Sequence, residues 1–229
     1  MIGELLPEKV STAWRTDDTE PVALFPEEEA VISRAVDKRR REFSTVRLCA
    51  RIALKELGER ESPLTPGERG EPQWPRGVVG SMTHCDRYRA AALARSADVI
   101  SLGIDAEPAR PLPDGVLNVV SRSEERRRLA ELARQVTHVP WDRLLFSAKE
   151  SVFKTWYPLT RRELDFTEAS VDFTPATGTF TARLLVPGPV VGGERLSDFI
   201  GRWAVRNGIA LTAIVLPRPD PRWPPGAPS

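Results

Sequence analysis

Three short segments hold the residue types that can do chemistry. The run Ile100 to Pro108 (ISLGIDAEP) closes an apolar strand with Asp105 and Glu107. Positions i and i+2 of an extended chain point to the same face, so these carboxylates stand side by side and repel unless a cation lies between them. Hard oxygen donors of this kind suit Mg2+ over a softer metal. Two solvated acids at a strand end would give the same pattern.

The second segment, Phe146 to Lys154 (FSAKESVFK), sets Glu150 and Lys154 one helical turn apart, opposite an apolar stripe of Trp141, Leu145, Ala148 and Val152. One account is an i,i+4 ion pair on a wet face, worth roughly a few tenths of a kcal/mol. Against it, Phe146 and Phe153 flank that face, and the segment holds Lys149 and Lys154, two of only five lysines among 33 basic residues. The third segment, Gly80 to Cys85 (GSMTHC), alternates Ser81, Thr83 and Cys85 on one face with Met82 and His84 on the other. Adjacent residues of a strand diverge, so His84 and Cys85 form neither a metal pair nor a nucleophile couple. Ahead of all three lies an arginine cluster, Arg39, Arg40, Arg41, Arg47 and Arg51. Phe43, Val46 and Ala50 put Arg47 beside the core, where a desolvated guanidinium needs an anion. A phosphate would satisfy it.

These side chains need elements to hold them. Helical spacing of Phe43, Val46, Ala50, Ala53, Leu54 and Leu57 predicts a helix over residues 27–57, stopped by Gly58. A Pro- and Gly-rich loop fills 59–77, followed by strands at 78–83, 88–94 and 99–105. After a polar break, helices are expected at 124–136 and 141–157, the second ended by Pro158. Strands follow at 171–173, 179–186, 199–206 and 209–216, with Asn207-Gly208 as a hairpin turn. The fold class is α+β, with an N-terminal half (1–110), a C-terminal half (111–216) and a Pro-rich tail (217–229).

The chain has 229 residues, 41% hydrophobic and 28% charged, enough apolar material for a real core. Its net charge of +1 leaves no global field for nucleic acid or an anionic membrane. No apolar stretch approaches the ~20 residues of a membrane span. Two cysteines are too few for a disulfide framework, and the N-terminus lacks a signal-peptide layout. The reading is a cytoplasmic protein.

The three segments, in this order and behind an Arg-rich helix, resemble the Sfp-type 4′-phosphopantetheinyl transferases, in the bacterial subgroup typified by EntD and PptT. The resemblance spans roughly residues 25 to 216. It implies a pseudo-dimer of two α+β halves with antiparallel sheets and a cofactor cleft between them. It also implies transfer of 4′-phosphopantetheine from coenzyme A to a serine of an acyl or peptidyl carrier protein, releasing adenosine 3′,5′-bisphosphate. The carriers would be those of polyketide, nonribosomal peptide or siderophore pathways. Position by position, Asp105, Glu107 and Glu150 would hold Mg2+ on the pyrophosphate, with Glu150 also the general base. Lys154 would serve the leaving group, and Lys149 would be a second phosphate contact. Arg39, Arg47, Thr83 and His84 match the residues at the adenosine bisphosphate end. Arg39 is out of phase with Arg47 on a continuous helix, so either the helix is irregular near Asp37 or Arg39 approaches the ligand differently. In the loop Thr65 to Pro72, Pro66 stands where some relatives carry a lysine, which leaves Arg69 as the cation. Arg122, Arg126, Arg127 and Arg128 are candidates for carrier docking, and the pseudo-dimer is expected to act as a monomer. Two rival readings exist. Another Mg2+-dependent phosphoryl transferase is opposed by the lack of Walker or kinase motifs. A non-catalytic coenzyme A or carrier-binding module is opposed by the intact carboxylates and Lys154.

Overall fold

The computed structural model describes residues 1–218, so most of the expected tail lies outside the described residues. The first strand, β1 (Ser11–Arg15), is one that hydropathy does not announce, since only Ala13 of its five residues is buried. Pro26 then starts helix α1 (Pro26–Val31), where the Glu28 carboxylate accepts from Phe25 N at 3.0 Å. The single helix expected over 27–57 is broken here. Helix α2 (Asp37–Glu56) begins only after an extended Val36. The Ile32 carbonyl, which an unbroken helix would use internally, accepts instead from Ala35 N (2.9 Å) and Arg40 Nη1 (3.0 Å). Fully buried Glu28 pairs with Arg51 and accepts from Leu64 N at 3.0 Å, tying α1, α2 and the following loop together.

Strands β2 (Val78–Cys85) and β3 (Tyr88–Arg95) form a hairpin, and β1 pairs with the far edge of β3. Strand β3 is buried on both faces. Ala91 and Leu93 meet α2, while Ala90, Ala92 and Ala94 meet the next strand, β4 (Val99–Pro108). Small side chains on the central strand are what let a helix and a second sheet approach it from opposite sides.

The second half begins with α3 (Val116–Val120), α4 (Ser123–Gln135) and α5 (Trp141–Thr160). Helix α5 runs past Pro158, whose missing N–H costs one bond in the last turn without ending it. The stop comes at Arg161, in the left-handed region at φ 53°. Strands β5 (Ala169–Thr174), β6 (Thr179–Leu184), the two-residue pair β7 (Val190–Val191) and β8 (Glu194–Arg195), β9 (Asp198–Arg206) and β10 (Ile209–Pro217) complete the chain. The large sheet is antiparallel in the order β4-β10-β9-β6-β5. Strand β4 lies on the N-terminal side of the boundary expected at residue 110, yet its partner is β10, so it belongs to the second sheet.

The layers are therefore α2, the β1-β3-β2 sheet, the β4-β10 side of the large sheet, and α5. Two α+β halves are stacked sheet to sheet. Large apolar residues fill the space between α5 and its sheet toward β5, including Trp141, Trp156, Phe173 and Phe180. Toward β4 the contact is tighter and built from small residues. Ser147 and Ser151 share the Thr212 hydroxyl at 2.9 and 2.7 Å, and Ser101 Oγ donates to Thr155 O at 2.8 Å. Gly103 is what allows this approach. A Cβ there would strike Ser151 O and come within 2.5 Å of Thr155 Oγ1 and 2.9 Å of Thr155 N. Gly103→Ala is expected to cost about 1–3 kcal/mol by forcing α5 off β4, read as a lower urea midpoint.

Candidate active site

Strand β2 and strand β4 are joined by side chains instead of a ladder. Ser81 Oγ accepts from Ile104 N and Thr83 Oγ1 accepts from Ala106 N, both at 3.1 Å. Thr83 Oγ1 also donates to Asp105 Oδ1 at 3.2 Å. The seam between the halves thus orients the carboxylate that follows Gly103 by two residues. From the other side, Lys154 on α5 donates to the same Oδ1 at 2.7 Å and to Ile104 O at 3.1 Å. The remaining oxygen, Asp105 Oδ2, is buried and has no hydrogen-bond partner. An ionised oxygen in that state is costly unless a cation or donor meets it.

A cleft of about 1060 Å³ opens over this seam, with walls from both halves. Asp105, Glu107, Glu150 and Lys154 line one end, and Arg39, Arg47, Arg69, Thr83 and His84 line the rest. The cleft thus gathers Asp105, Glu107, Glu150, Lys154 and Arg47, singled out by residue type and spacing, with Arg39, Arg69, Thr83 and His84, named through the family resemblance. Glu150 is held above the ordinary carboxylate range by burial first, with the Asp105 and Glu107 charges adding and Lys154 opposing. Glu107 is raised by burial and by Asp105, against the pull of Arg143. Among the described residues, no three His, Cys, Asp or Glu side chains are yet gathered as a ligand set. Lys154 engages Asp105, and Arg143 engages Glu107 Oε2 at 2.9 Å.

At the far end, Arg39 and Arg47 lie on the same unbroken helix α2, about 80° apart around its axis, and Arg39 reaches the cleft from the first turn by its own route. Arg39 Nη1 sits 2.6 Å from His84 Nε2. A guanidinium can only donate, so this imidazole nitrogen is the acceptor and the ring is neutral. Packing around the ring, followed by the Arg39 charge, lowers the His84 pKa, although one edge stays open to solvent. Arg47 is buried against the face of Phe43, with its guanidinium carbon 3.2 Å from the ring centroid. It donates to Leu64 O at 3.1 Å but leaves Nε without a partner. Desolvation lowers its pKa to about 10.

Lys149 departs from its expected place. It is buried on the other flank of α5, donating to Glu125 Oε2 (2.8 Å), Phe166 O (2.6 Å) and Ala169 O (3.1 Å). The reason is helical phase, since one residue before Glu150 is a rotation of about 100° away from the cleft. Arg69 does line the cleft, but its guanidinium pairs with Glu163 at 2.6 Å, while Arg161 reaches back to Glu71 at 2.7 Å. These reciprocal pairs strap the 65–72 loop of the first half to the end of α5. Of the docking candidates, Arg122, Arg126 and Arg128 bond to Thr167 O, Ser121 O and Val171 O, leaving Arg127 the exposed one. Sequence reasoning missed Glu42, which lines the cleft from α2, and Arg143, which pairs with Glu107 from the first turn of α5.

Comparison with known proteins shows the family. Residues 27–94 match the 4′-phosphopantetheinyl transferase N-terminal domain, and residues 101–203 match the 4′-phosphopantetheinyl transferase superfamily. The 4′-phosphopantetheinyl transferase Svp of Streptomyces mobaraensis is 61% identical over 222 residues, 96% of this chain and 90% of its own. PptT of Mycobacterium tuberculosis is 45% identical over 224 residues, 94% of this chain and 98% of its own. Enterobactin synthase component D of Escherichia coli is 34% identical over 131 residues, 55% of this chain and 58% of its own. A cleft whose two walls come from the two matched halves, with relatives aligned nearly end to end, leads to one conclusion: the chain belongs to the 4′-phosphopantetheinyl transferases, enzymes that move the phosphopantetheine arm of coenzyme A onto carrier proteins.

Proposed function

We propose that the chain performs this transfer with Mg2+ held by Asp105, Glu107 and Glu150, and with Glu150 as the base that activates the carrier serine. The observation that carries the reading is the unpartnered, buried Oδ2 of Asp105, a residue that lines the cleft together with Glu107 and Glu150. Three hard oxygen donors fit Mg2+, which when bound there supplies neutralising charge to the coenzyme A pyrophosphate. The protein's own steps follow from its geometry. Glu150, with its raised proton affinity, accepts the proton of the serine hydroxyl as that oxygen bonds the β-phosphorus. The bond from this phosphorus to the oxygen bridging the adenosine side breaks. Lys154, one turn along α5, meets the charge left on the departing adenosine 3′,5′-bisphosphate.

Arg39, Arg47, Thr83 and His84 are assigned to the adenosine end. The free Nε of buried Arg47 and the Arg39–His84 contact support an anion there. Arg69 is assigned to the same ligand after release from Glu163. The substrates are acyl or peptidyl carrier proteins of polyketide, nonribosomal peptide or siderophore synthesis. The protein acts as a cytoplasmic monomer, a setting in keeping with two unpaired cysteines. No helix of the described residues is long and apolar enough to cross a membrane.

The test is intact-mass spectrometry of an apo carrier protein incubated with this protein, coenzyme A and Mg2+. A gain of about 340 Da on the carrier serine, lost with EDTA, is expected. No gain with several carriers, despite coenzyme A binding, would favour a non-catalytic binding module.

A further inference from the structure

The first turn of α5 grips the segment that leaves β4. Asp142 Oδ2 accepts from Leu112 N at 2.8 Å, and Asp142 Oδ1 accepts from Arg143 N at 2.8 Å. Arg143 then spends its whole guanidinium fork on that segment. Nε donates to Arg110 O (3.1 Å), Nη2 to Pro111 O (3.0 Å) and Nη1 to Glu107 Oε2 (2.9 Å). Its side chain is only 12% exposed and that of Glu107 20%, so neither is a loose surface partner. The two carbonyls fix the plane of the fork, and the plane fixes Glu107. A lysine carries its three N–H donors on one rotatable nitrogen and lacks the rigid planar fork that meets these three acceptors from three separate nitrogens.

This clamp has a consequence for the cation that Glu107 faces. With Oε2 accepting from Arg143 and turned toward that positive charge, Oε1 is the freer donor, and a two-oxygen grip on one cation is disfavoured. Mg2+ takes single oxygens in a strict octahedron and keeps several waters, whereas Ca2+ takes six to eight ligands and often grips a carboxylate through both oxygens. We propose that Arg143 is a positioning residue that favours one donor oxygen of Glu107 over two and so biases the carboxylate site toward Mg2+ over Ca2+. The inference rests on the three-carboxylate reading above and adds a residue which that reading did not contain. Arg143 itself touches no reacting atom and acts only through Glu107.

The test is isothermal titration of Mg2+ and of Ca2+ into the protein with coenzyme A bound, for wild type, Arg143→Met, Arg143→Lys and Asp142→Ala. Arg143→Met frees Oε2, and the Ca2+ to Mg2+ affinity ratio is expected to rise about tenfold or more, as for loss of a partner that orients a metal ligand. Arg143→Lys keeps the charge without the fork and should fall between Arg143→Met and wild type. Asp142→Ala loosens the segment at Leu112 without touching Glu107, and should leave the ratio unchanged. A ratio unmoved in folded Arg143→Met and Arg143→Lys, or moved equally by Asp142→Ala, overturns the inference alone. Absence of Mg2+ binding to the wild-type complex overturns the three-carboxylate reading as well.

Discussion

Glu150→Gln is expected to lower the rate of phosphopantetheine transfer by about 10²–10⁴-fold, the usual contribution of a positioned general base. The substitution keeps the shape of the side chain but removes its charge, its capacity to take a proton and a charged donor to Mg2+, so the assay is run at saturating Mg2+. Glu150 is half-buried at one end of the cleft, beside Phe146 and Phe153, whereas the adenosine subsite of Arg39, Arg47 and His84 lies in the remainder. Coenzyme A should therefore still bind, and titration calorimetry beside the mass assay separates the two effects. Transfer near the wild-type rate would remove Glu150 from the mechanism. Loss of coenzyme A binding together with transfer would make Glu150 a structural or substrate-holding group instead of the base.

Lys149→Met should behave in the opposite way, unfolding the protein more easily while sparing coenzyme A affinity. Glu125 and Lys149 are both essentially buried, and burial pushes the Lys149 pKa down even as the Glu125 hydrogen bond pulls it up. Removing one partner of such a pair leaves the other charge without compensation, at a cost of about 3–5 kcal/mol. The lost ammonium also strips a donor from Phe166 O and Ala169 O. Glu125 still accepts from Arg122 N and Val171 N, both at 2.8 Å, so the α4 to β5 joint should loosen without vanishing. Urea denaturation measures the loss, and Lys149→Met combined with Glu125→Gln should recover part of it. A coenzyme A affinity that falls in Lys149→Met while stability holds would return Lys149 to the phosphate site that the family resemblance implied.

The contrast between Glu150 and Lys149 marks the limit of local pattern. Both sit in one motif and both carry charge, and a motif does not say which face of a helix the fold will cover. Similar limits applied to Arg39, which is out of phase with Arg47 on the same helix and is placed by its contact with His84 on β2. Strand β1 was invisible because a short, mixed strand owes its existence to its partner β3.

What the amino-acid sequence by itself determined was most of the elements and, through the ordered set of motifs that resembles one family, the class of chemistry. Apolar alternation ending in Asp105 and Glu107, helical spacing of Glu150 and Lys154, and the Asn207-Gly208 turn are local signals, written within a few residues and read by period alone. The tertiary structure alone decided what those residues face. Gly103 admits α5, Ser81 and Thr83 weld β2 to β4, Lys149 turns inward to Glu125, and Arg143 takes one oxygen of Glu107. Each of these is a contact between segments far apart in the chain. Its energy exists only once the two sheets have stacked, so no window of sequence contains it.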